Sequence, residues 1–289
     1  MNKNIHTFIG CDSDYEDSKI VLFGAPFDGT TSYRPGTRFA SSAIRNESFG
    51  IETYSPYLNR DLTDIKVFDG GDLELVFGNT IKVLDQIEEY TQTLLDDKKI
   101  PCMIGGEHLV TLGAVRAVAK KYEDLEIIHF DAHTDLRDEY LGENLSHSTV
   151  MRRCWEIIGN GKIHQFGIRS GDREEFLWAK NRTHMTKFNF EGIEKTIKKL
   201  KGVPIYLSID LDVLDPSVFC GTGTPEAGGV SFMELLSALK AVSKLNIVGF
   251  DINELAPIYD QSGASTALAC KLLRELLLLI GGKQKWGKL

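Results

Sequence analysis

Short apolar runs alternate along the chain with longer segments in which apolar residues recur every three or four positions. The short runs are rich in β-branched and aromatic residues, and several end in Gly or Asp. This is typical of strands buried between two layers of helices. Eight strands are predicted on this basis, at residues 19–26, 65–71, 101–106, 125–133, 162–169, 184–188, 204–212 and 246–253.

The segments between these strands have the periodicity of amphipathic helices. Either Asn79 or Thr80 is a candidate N-cap for the longest early helix. The predicted helices cover residues 79–98, 109–120, 148–158, 190–200, 231–242 and 263–280. Because strands and helices alternate, we predict an α/β fold, with a mostly parallel sheet of about eight strands and helices on both of its faces.

The length and composition agree with one large α/β domain. The chain has 289 residues, of which 42% are hydrophobic and 26% are charged, so it can bury the core of a globular protein. No internal repeat, low-complexity segment or linker interrupts the pattern. We therefore expect a single domain over residues 1–289, with 1–17 and 281–289 as loose termini.

Charge and cysteine content restrict the partners and the compartment. A formal net charge of −8 argues against nucleic acid as a partner and favours a small cationic substrate. The five cysteines are scattered and odd in number, which is typical of a reducing cytoplasm rather than a disulfide framework. The sequence has no secretory signal and no apolar run near the ~20 residues that span a bilayer. We expect a cytoplasmic protein with no membrane partner.

Acidic and histidine side chains are concentrated where predicted strands end. Side chains two positions apart on a strand share a face, so Asp131 and His133 project together, and Asp135 follows in the turn. Asp210 and Asp212 repeat this arrangement at the end of another strand. Because ligands of parallel sheets bind beyond the carboxyl ends of the strands, we expect these groups to share one site.

A third strand, at residues 101–106, runs directly into Glu107 and His108. Four carboxylates packed closely without a cation would have raised pKa values or would unfold the site. Two divalent cations would balance the charge of four carboxylates, and carboxylate bridges hold such ions roughly 3.5–4 Å apart. The sequence therefore predicts a two-metal site with the ligands His108, Asp131, His133, Asp135, Asp210 and Asp212.

The prediction of a two-metal site depends on the residues of all three strand ends together. A single Asp at a strand end is commonly a cap or turn residue, and we interpret Asp215, which precedes Pro216, in that way. An oxygen-rich shell with two imidazoles suits Mn²⁺, while Zn²⁺, Co²⁺ and Fe²⁺ stay open as alternatives.

Five motifs occur in an order that resembles a known family. They are "SYRPGTRFA" (32–40), "GGEH" (105–108), "DAHTD" (131–135), "SIDLDVLDP" with "GTGTPEAGG" (208–229), and "GFDINELAP" (249–257). Together they are similar to the ureohydrolases, that is, arginases, agmatinases and related guanidino hydrolases. The resemblance covers nearly the whole chain, and the N-terminal loop is most like that of the agmatinase type.

The resemblance implies the arginase/deacetylase type of three-layer α/β/α fold and a centre of two Mn²⁺ ions per chain. His108 and Asp135 would serve one metal, and His133 and Asp212 the other. Asp131 and Asp210 would bridge both. The family tends to form trimers and hexamers, so the resemblance also implies a homo-oligomer.

Two further positions match the family's active-site residues. His147, in "LSHSTV", matches the histidine at the mouth of the cleft, and Glu254 matches the acid that holds the guanidinium group. Without the motifs, His147 would be read as the start of a helix and Glu254 as a capping acid. In the implied reaction, a metal-bridging hydroxide attacks the guanidinium carbon, Asp135 helps to move its proton, and His147 passes a proton to the departing amine.

The loop at residues 136–145 bears on the choice of substrate. It holds Asp138, Glu139 and Glu143 against the single cation Arg137. An acidic loop suits a substrate with a cationic tail, so we predict cleavage of agmatine to putrescine and urea, within polyamine biosynthesis. Arginase, guanidinobutyrase or another amidinohydrolase activity is the alternative.

Two other classes of protein share this type of fold. A deacetylase-like enzyme would keep one zinc ion, and the second set of ligands, His108 and Asp135 with Asp212, argues against it. A non-catalytic binding module would be expected to have lost ligands, and none of the six is missing.

Overall fold

The protein is described by a computed structural model that covers residues 1 and 4–282. Eight strands in this part of the chain pair side by side in one sheet, and every pairing between them is parallel. From one edge to the other they are β4 (Val67–Asp72), β1 (Ile20–Ala25), β5 (Ile100–Gly105), β10 (Asn246–Asn253), β9 (Pro204–Asp210), β6 (Glu126–Phe130), β7 (Ile163–Ile168) and β8 (His184–Lys187). Two short strands, β2 (Tyr54–Ser55) and β3 (Arg60–Asp61), form a separate antiparallel pair.

Helices connect the strands and cover the sheet. The α-helices are α1 (Ala40–Glu47), α2 (Thr80–Asp96), α3 (Val110–Lys121), α4 (Val150–Ile158), α5 (Arg173–Ala179), α6 (Ile193–Lys199), α7 (Phe232–Val242) and α8 (Ala264–Gly281). Short 3-10 turns lie at Thr37–Phe39, Ser48–Gly50, Leu62–Asp64, His147–Thr149, Leu211–Val213 and Pro257–Tyr259. None of the helices in the described ranges combines the length and apolarity that crossing a membrane requires.

The core lies in two layers, one on each face of the sheet. Alternate side chains of a strand point to opposite faces, so Ile20 and Leu22 pack with α1, α6, α7 and α8. Val21 and Phe23 on the same strand pack instead with α2, α3 and α4. A strand that is buried on both faces must be apolar throughout, which explains the unbroken apolar runs in the sequence.

All eight predicted strands and six predicted helices are present, with ends that differ by at most three residues from those expected. The side chain of Asn79 accepts a hydrogen bond from the Lys82 N–H at 3.0 Å, so Asn79 is the cap of α2 rather than Thr80. The helix expected from residue 190 begins at Ile193, because Gly192 has a left-handed backbone with φ of 79°.

The pattern missed α1, α5 and the short pair of β2 and β3. The five cysteines are free, as predicted. The single-domain assignment over residues 1–289 stays a prediction.

The expectation of a loose N-terminus was wrong from residue 8 onward. Phe8 and Cys11 are fully buried, and the Phe8 N–H donates to Asp69 Oδ2 at 2.8 Å. Asp12 forms a β-bridge with Phe68. The apolar side chains of this segment cover the edge of the sheet. The expected loose C-terminus, 281–289, lies outside the described residues except for its first two.

A buried ion pair joins α1 to the edge strand β4. Arg45 is 2% exposed and Asp69 is 1% exposed. The Arg45 Nε and Nη2 atoms donate to the two Asp69 oxygens, each at 2.9 Å, and Nη1 pairs with Asp72. A bidentate guanidinium in this position satisfies a carboxylate that would otherwise be buried without a counter-charge.

We predict that Arg45→Met lowers the free energy of unfolding by about 3–5 kcal/mol, because it leaves Asp69 buried and unpaired. Denaturation in urea measures this. Lys244→Met is the control, since Lys244 and Glu194 pair at 3.8 Å with side chains 64% and 63% exposed, and such pairs contribute at most about 1 kcal/mol. Equal effects of the two substitutions would contradict this account.

Candidate metal and catalytic centre

Four neighbouring strands in the middle of the sheet deliver the candidate residues to one place. In spatial order these strands are β5, β10, β9 and β6, and all run in the same direction. Their carboxyl ends lead into His108, Glu254, Asp210 and Asp131, respectively. Side chains that are far apart in sequence therefore meet at one edge of the sheet, where ligands of such sheets bind.

His108 lies at the centre of the first group of ligand atoms. Its Nδ1 atom lies 3.1 Å from Asp131 Oδ2, 3.2 Å from Asp135 Oδ2 and 3.3 Å from Asp210 Oδ2. Two ligands held about 2.1 Å from one ion in octahedral geometry are roughly 3 Å apart, so these separations match a shared cation.

A chain of hydrogen bonds fixes the tautomer of His108. Its Nε2 atom lies 2.8 Å from Ser208 Oγ, and the Ser208 hydroxyl donates to Asp251 Oδ1 at 2.7 Å. The Ser208 oxygen must therefore accept from Nε2–H, which leaves the Nδ1 lone pair directed at the carboxylates. Nδ1 is buried and has no hydrogen-bond partner among the described residues. A lone pair among three carboxylate oxygens is repulsive unless a proton or a metal cation lies between them, so the residues fit a metal ion.

A second group adjoins the first. His133 Nδ1 lies 3.0 Å from Asp212 Oδ2 and 3.5 Å from Asp131 Oδ1. The two oxygens of Asp131 thus face different histidines, as expected of a carboxylate that could bridge two ions. Asp210 turns Oδ2 toward His108, while its Oδ1 accepts from the Asp212 N–H at 2.8 Å.

The electrostatics of the cluster depend on burial and charge crowding. Burial, then the nearby Asp212 and Asp131, raise the pKa of Asp210 well above its usual range. Burial opposes protonation of His108, yet Asp131, Asp135 and Asp210 raise its pKa well above the usual value. Burial would likewise raise the pKa of Asp131, but His129 and the other histidines around it hold that pKa well below its usual range.

His129 is a residue that the sequence reasoning missed. It is fully buried, and its Nε2 lies 2.8 Å from Asp131 Oδ2. The Gln165 amide donates to Thr134 O at 2.8 Å and faces His129 Nδ1 at 3.2 Å, so Nδ1 accepts and Nε2–H donates to Asp131. The alternation that places Asp131 and His133 on one face also places His129 there, and this signal was available in the sequence.

A cavity of about 250 Å³ opens above the cluster. His133, Asp135 and Asp210 form part of its wall, together with His147 and Glu254. All eight site residues predicted from the sequence therefore lie in or beside this cavity: His108, Asp131, His133, Asp135, His147, Asp210, Asp212 and Glu254.

His147 is held by the loop that precedes α1. Its backbone N–H donates to Thr30 Oγ1 at 3.1 Å, and its Nδ1 lies 3.0 Å from the Thr30 carbonyl oxygen. A carbonyl can only accept, so Nδ1 carries the hydrogen and Nε2 is the unprotonated nitrogen. Burial lowers the pKa of His147, against the opposing effect of Asp135.

Glu254 is buried and held in an unusual backbone conformation. Its φ is 68°, and Asp135 has φ of 53°, both in the left-handed region that disfavours side chains other than Gly, Asn and Asp. Glu254 Oε1 accepts from the His108 N–H at 2.7 Å, which ties the acid to a candidate metal ligand. Burial, followed by the neighbouring carboxylate of Glu107, raises the pKa of Glu254 well above its usual range.

Comparison with known proteins assigns the chain to a family. The model of the arginase family matches residues 18–279. The chain belongs to the arginase family. Curated agmatinases of Bacillus cereus and Bacillus subtilis are each 50% identical over 275 residues, which cover 94% of this chain and 95% of each relative. The solved structure of the agmatine ureohydrolase of Thermoplasma volcanium has a TM-score of 0.86 at 34% identity, covering 96% of this chain and 94% of that one.

Membership of the arginase family confirms two predictions from the sequence. The ureohydrolase resemblance is confirmed by the family model and by these relatives. The three-layer α/β/α fold is confirmed by the parallel sheet, its two helical layers and the structural match. The chain is a hydrolase of the arginase family, and its buried His and Asp clusters are compatible with a centre of two divalent metals.

The prediction that acidic residues of the loop 136–145 favour a cationic substrate tail named the wrong residues. Asp138, Glu139 and Glu143 are not among the residues that line the cavity. Asp138 instead lies 2.8 Å from an Arg153 nitrogen and 3.5 Å from one of Arg152. The loop contributes other side chains to the cavity, namely Arg137 and Tyr140.

Carboxylates at the rim come from a different segment, at the start of α5. Asp172 and Glu175 line the cavity, and Arg137 Nη1 pairs with Asp172 Oδ2 at 2.8 Å. Asp215 is a turn residue, as predicted, because its side chain accepts from the N–H groups of Ser217 and Gly229.

Metal binding is predicted to release protons. Around His108 and His133 the neighbouring carboxylates outweigh burial and raise both pKa values well above the usual range, and the pKa of Asp210 is raised by burial. Near neutral pH the metal-free cluster therefore retains protons that a cation must displace, so affinity rises as pH rises. Calorimetry of Mn²⁺ binding in buffers of different ionisation enthalpy measures the release. Affinity independent of both pH and buffer would contradict it.

Proposed function

We propose that this protein is a binuclear-metal hydrolase that cleaves agmatine to putrescine and urea. The observation that carries the proposal is the pair of adjoining His and Asp groups, joined by Asp131, beneath a cavity walled by His147 and Glu254. The names of the 50% identical relatives support agmatine as the substrate. Arginase, guanidinobutyrase or another amidinohydrolase activity is the alternative.

The proposed ligands divide into two sets. His108 and Asp135, which lie 3.2 Å apart, would hold one metal, and His133 and Asp212, which lie 3.0 Å apart, would hold the other. Asp131 and Asp210 would contribute to both. Carboxylate oxygens and imidazole nitrogens suit Mn²⁺, which we propose as the ion at both positions. When bound, two such ions supply a hydroxide near neutral pH by lowering the pKa of a shared water.

Glu254 is proposed to hold the guanidinium group of the substrate. A carboxylate matches the paired N–H donors of a guanidinium, and its charge compensates the positive charge of the group. Glu254 is 6% exposed, so little water competes for its oxygens. With the guanidinium fixed against Glu254, its carbon can be presented to the nucleophile in one orientation.

His147 is proposed to pass a proton to the departing amine. Its Nδ1–H is used by the Thr30 carbonyl oxygen, so Nε2 is the nitrogen that can take and give a proton. The lowered pKa keeps the ring neutral and able to accept a proton near pH 7. Asp135, which lines the same cavity, is proposed to move the proton of the nucleophile.

The rim of the cavity supports a substrate with a cationic tail. Agmatine carries a guanidinium group at one end and an ammonium group at the other. Asp172 and Glu175 line the cavity together with the single cation Arg137, which pairs with Asp172, so this part of the lining keeps an excess of negative charge. The acidic groups that favour a cationic tail therefore lie at the start of α5 and not in the loop 136–145.

The cellular setting is proposed on other grounds. Cleavage to putrescine belongs to polyamine biosynthesis. Five free cysteines support a reducing compartment, and we propose the cytoplasm. A homo-oligomer, either a trimer or a hexamer, is proposed from the resemblance to the ureohydrolases.

We predict that the Mn²⁺-loaded protein releases urea from agmatine in clear preference to arginine and 4-guanidinobutyrate. Agmatine alone combines a guanidinium with a cationic tail and lacks a carboxylate. A colorimetric urea assay over the three substrates measures the ratio of kcat/KM values, with chelator-treated protein as the blank. A preference for arginine would overturn the substrate and keep the reaction class; no urea from any of them would overturn both.

Asp210→Ala is predicted to lose bound metal and at least about a hundredfold of urea release. The substitution removes an oxygen 3.3 Å from His108 Nδ1, and with it a proposed bridge between the ions. Metal content per chain by mass spectrometry and kcat measure the two effects. Asp124→Ala, at an exposed position before β6, is the control. Full metal content and turnover in Asp210→Ala would exclude the two-metal site.

A further inference from the structure

Glu107 is a buried acid to which the proposed reaction gives no role. It precedes His108 and is 0% exposed. Its carboxylate accepts three hydrogen bonds from one loop: from Thr30 N–H at 2.8 Å, from Thr30 Oγ1 at 2.5 Å and from Thr31 Oγ1 at 3.1 Å. Three donors from two consecutive residues on one buried carboxyl group form a rigid joint, because moving the loop would leave buried polar atoms without partners.

The backbone reinforces this joint. The Glu107 N–H donates to the Phe27 carbonyl oxygen at 2.8 Å. A Cβ atom at Gly106 would lie 1.9 Å from the same oxygen, so only glycine allows the turn after β5 to approach the loop this closely. The segment from Phe27 to Thr31 is thereby fixed to the turn that carries His108.

Thr30 connects this fixed loop to His147. Its hydroxyl donates to Glu107 Oε1 and accepts from the His147 N–H, and its carbonyl accepts from His147 Nδ1. His147 Nε2 then faces the cavity, with Ser32 Oγ at 3.4 Å. Thr30 thus contacts both Glu107 and the imidazole, and Glu107 does not need to touch the substrate.

We infer that Glu107 is a positioning residue that acts through Thr30 to fix the orientation and tautomer of His147. The inference rests on the proposed function, in which His147 passes a proton to the leaving amine. A shorter acid at position 107 would not reach both donors of Thr30, which gives a reason for Glu rather than Asp in the "GGEH" motif of this chain.

Other groups also act on His147. Burial is the largest influence and lowers its pKa, the charge of Asp135 and then the bond to the Thr30 carbonyl raise it, and His133 and His108 lower it. The Tyr140 ring meets the imidazole edge-on, with centroids 6.0 Å apart. If Thr30 no longer holds the ring, the loss of its bond lowers the pKa of His147, but water reaching the ring removes the larger effect of burial. The pKa should therefore rise toward the ordinary histidine value.

The first test compares Thr30→Val, Thr30→Ser and Glu107→Gln in the Mn²⁺-loaded protein. Thr30→Val removes the hydroxyl and keeps the shape of the side chain, whereas Thr30→Ser restores the hydroxyl. Glu107→Gln turns an amide toward the Thr30 hydroxyl, which then loses its acceptor. For Thr30→Val and Glu107→Gln we expect kcat on agmatine to fall about tenfold or more, KM to change less, and the acidic limb of the pH profile to move. Thr30→Ser should recover most of the rate.

Glu126→Gln is the matched control. Glu126 is a partly buried acid that also pairs with a histidine, His164 at 2.6 Å, but it lies at the amino end of β6, away from the cavity. Its pH profile should match that of the wild type. Metal content should be unchanged in all four variants. Loss of metal in Glu107→Gln with wild-type behaviour of Thr30→Val would mean that Glu107 acts on His108, and would overturn the inference.

A second readout does not need turnover. Diethyl pyrocarbonate modifies neutral imidazole, so the pH dependence of its reaction with the His147 peptide, followed by mass spectrometry, reports the pKa of that ring. In Thr30→Val and Glu107→Gln the midpoint should move upward. Superimposable midpoints in these variants and the wild type would overturn the inference even if agmatine is the substrate. If the midpoint moves upward in the variants but the protein releases no urea, the role of Glu107 and Thr30 in positioning His147 is supported. Only the proposed function is then contradicted.

Discussion

The structure depends on the repulsion among carboxylates that are buried together at the carboxyl ends of β6 and β9. Asp131, Asp210 and Asp212 are each at most 3% exposed, so water screens their charges little. Burying one unpaired carboxylate costs several kcal/mol, and burying three beside each other is worse. Only cations, or protons held in their place, make such a cluster compatible with a folded sheet. The raised pKa values of Asp210 and of His108 are the response of the metal-free protein to this constraint.

Three of the histidines around the cluster are oriented by one common device. Each uses one ring nitrogen for a fixed partner, so that the other nitrogen points where it is needed. Ser208 holds His108, Gln165 holds His129, and the Thr30 carbonyl holds His147. Such partners determine which nitrogen carries the hydrogen, and this decides whether an imidazole can bind a cation, support a carboxylate or accept a proton.

Sequence reasoning predicted the layers, and it predicted that the candidate ligands lie together, because both follow from periodicity. A parallel sheet needs strands that are apolar on both faces, and alternation places Asp131 and His133 together at the end of one of them. It failed where side chains pair across space. Asp138 turns to the arginines of α4, and Asp172, the residue before α5, lines the cavity instead. The close approach of Gly106 to Phe27 produces no periodic pattern in the sequence either.

The positive φ angle of Glu254 shows one place where the fold holds strain. Residues in this region cost about 1–3 kcal/mol each and persist only where surrounding contacts determine them. Glu254 is determined by the His108 N–H, which its Oε1 accepts, and by its own N–H, which donates to the Gly106 carbonyl at 2.9 Å. The same turn carries Glu107 and so holds the loop behind His147. One short segment after β5 therefore sets the relative positions of a candidate metal ligand, the acid proposed to bind the guanidinium and the proposed proton carrier, which lie on three different parts of the chain.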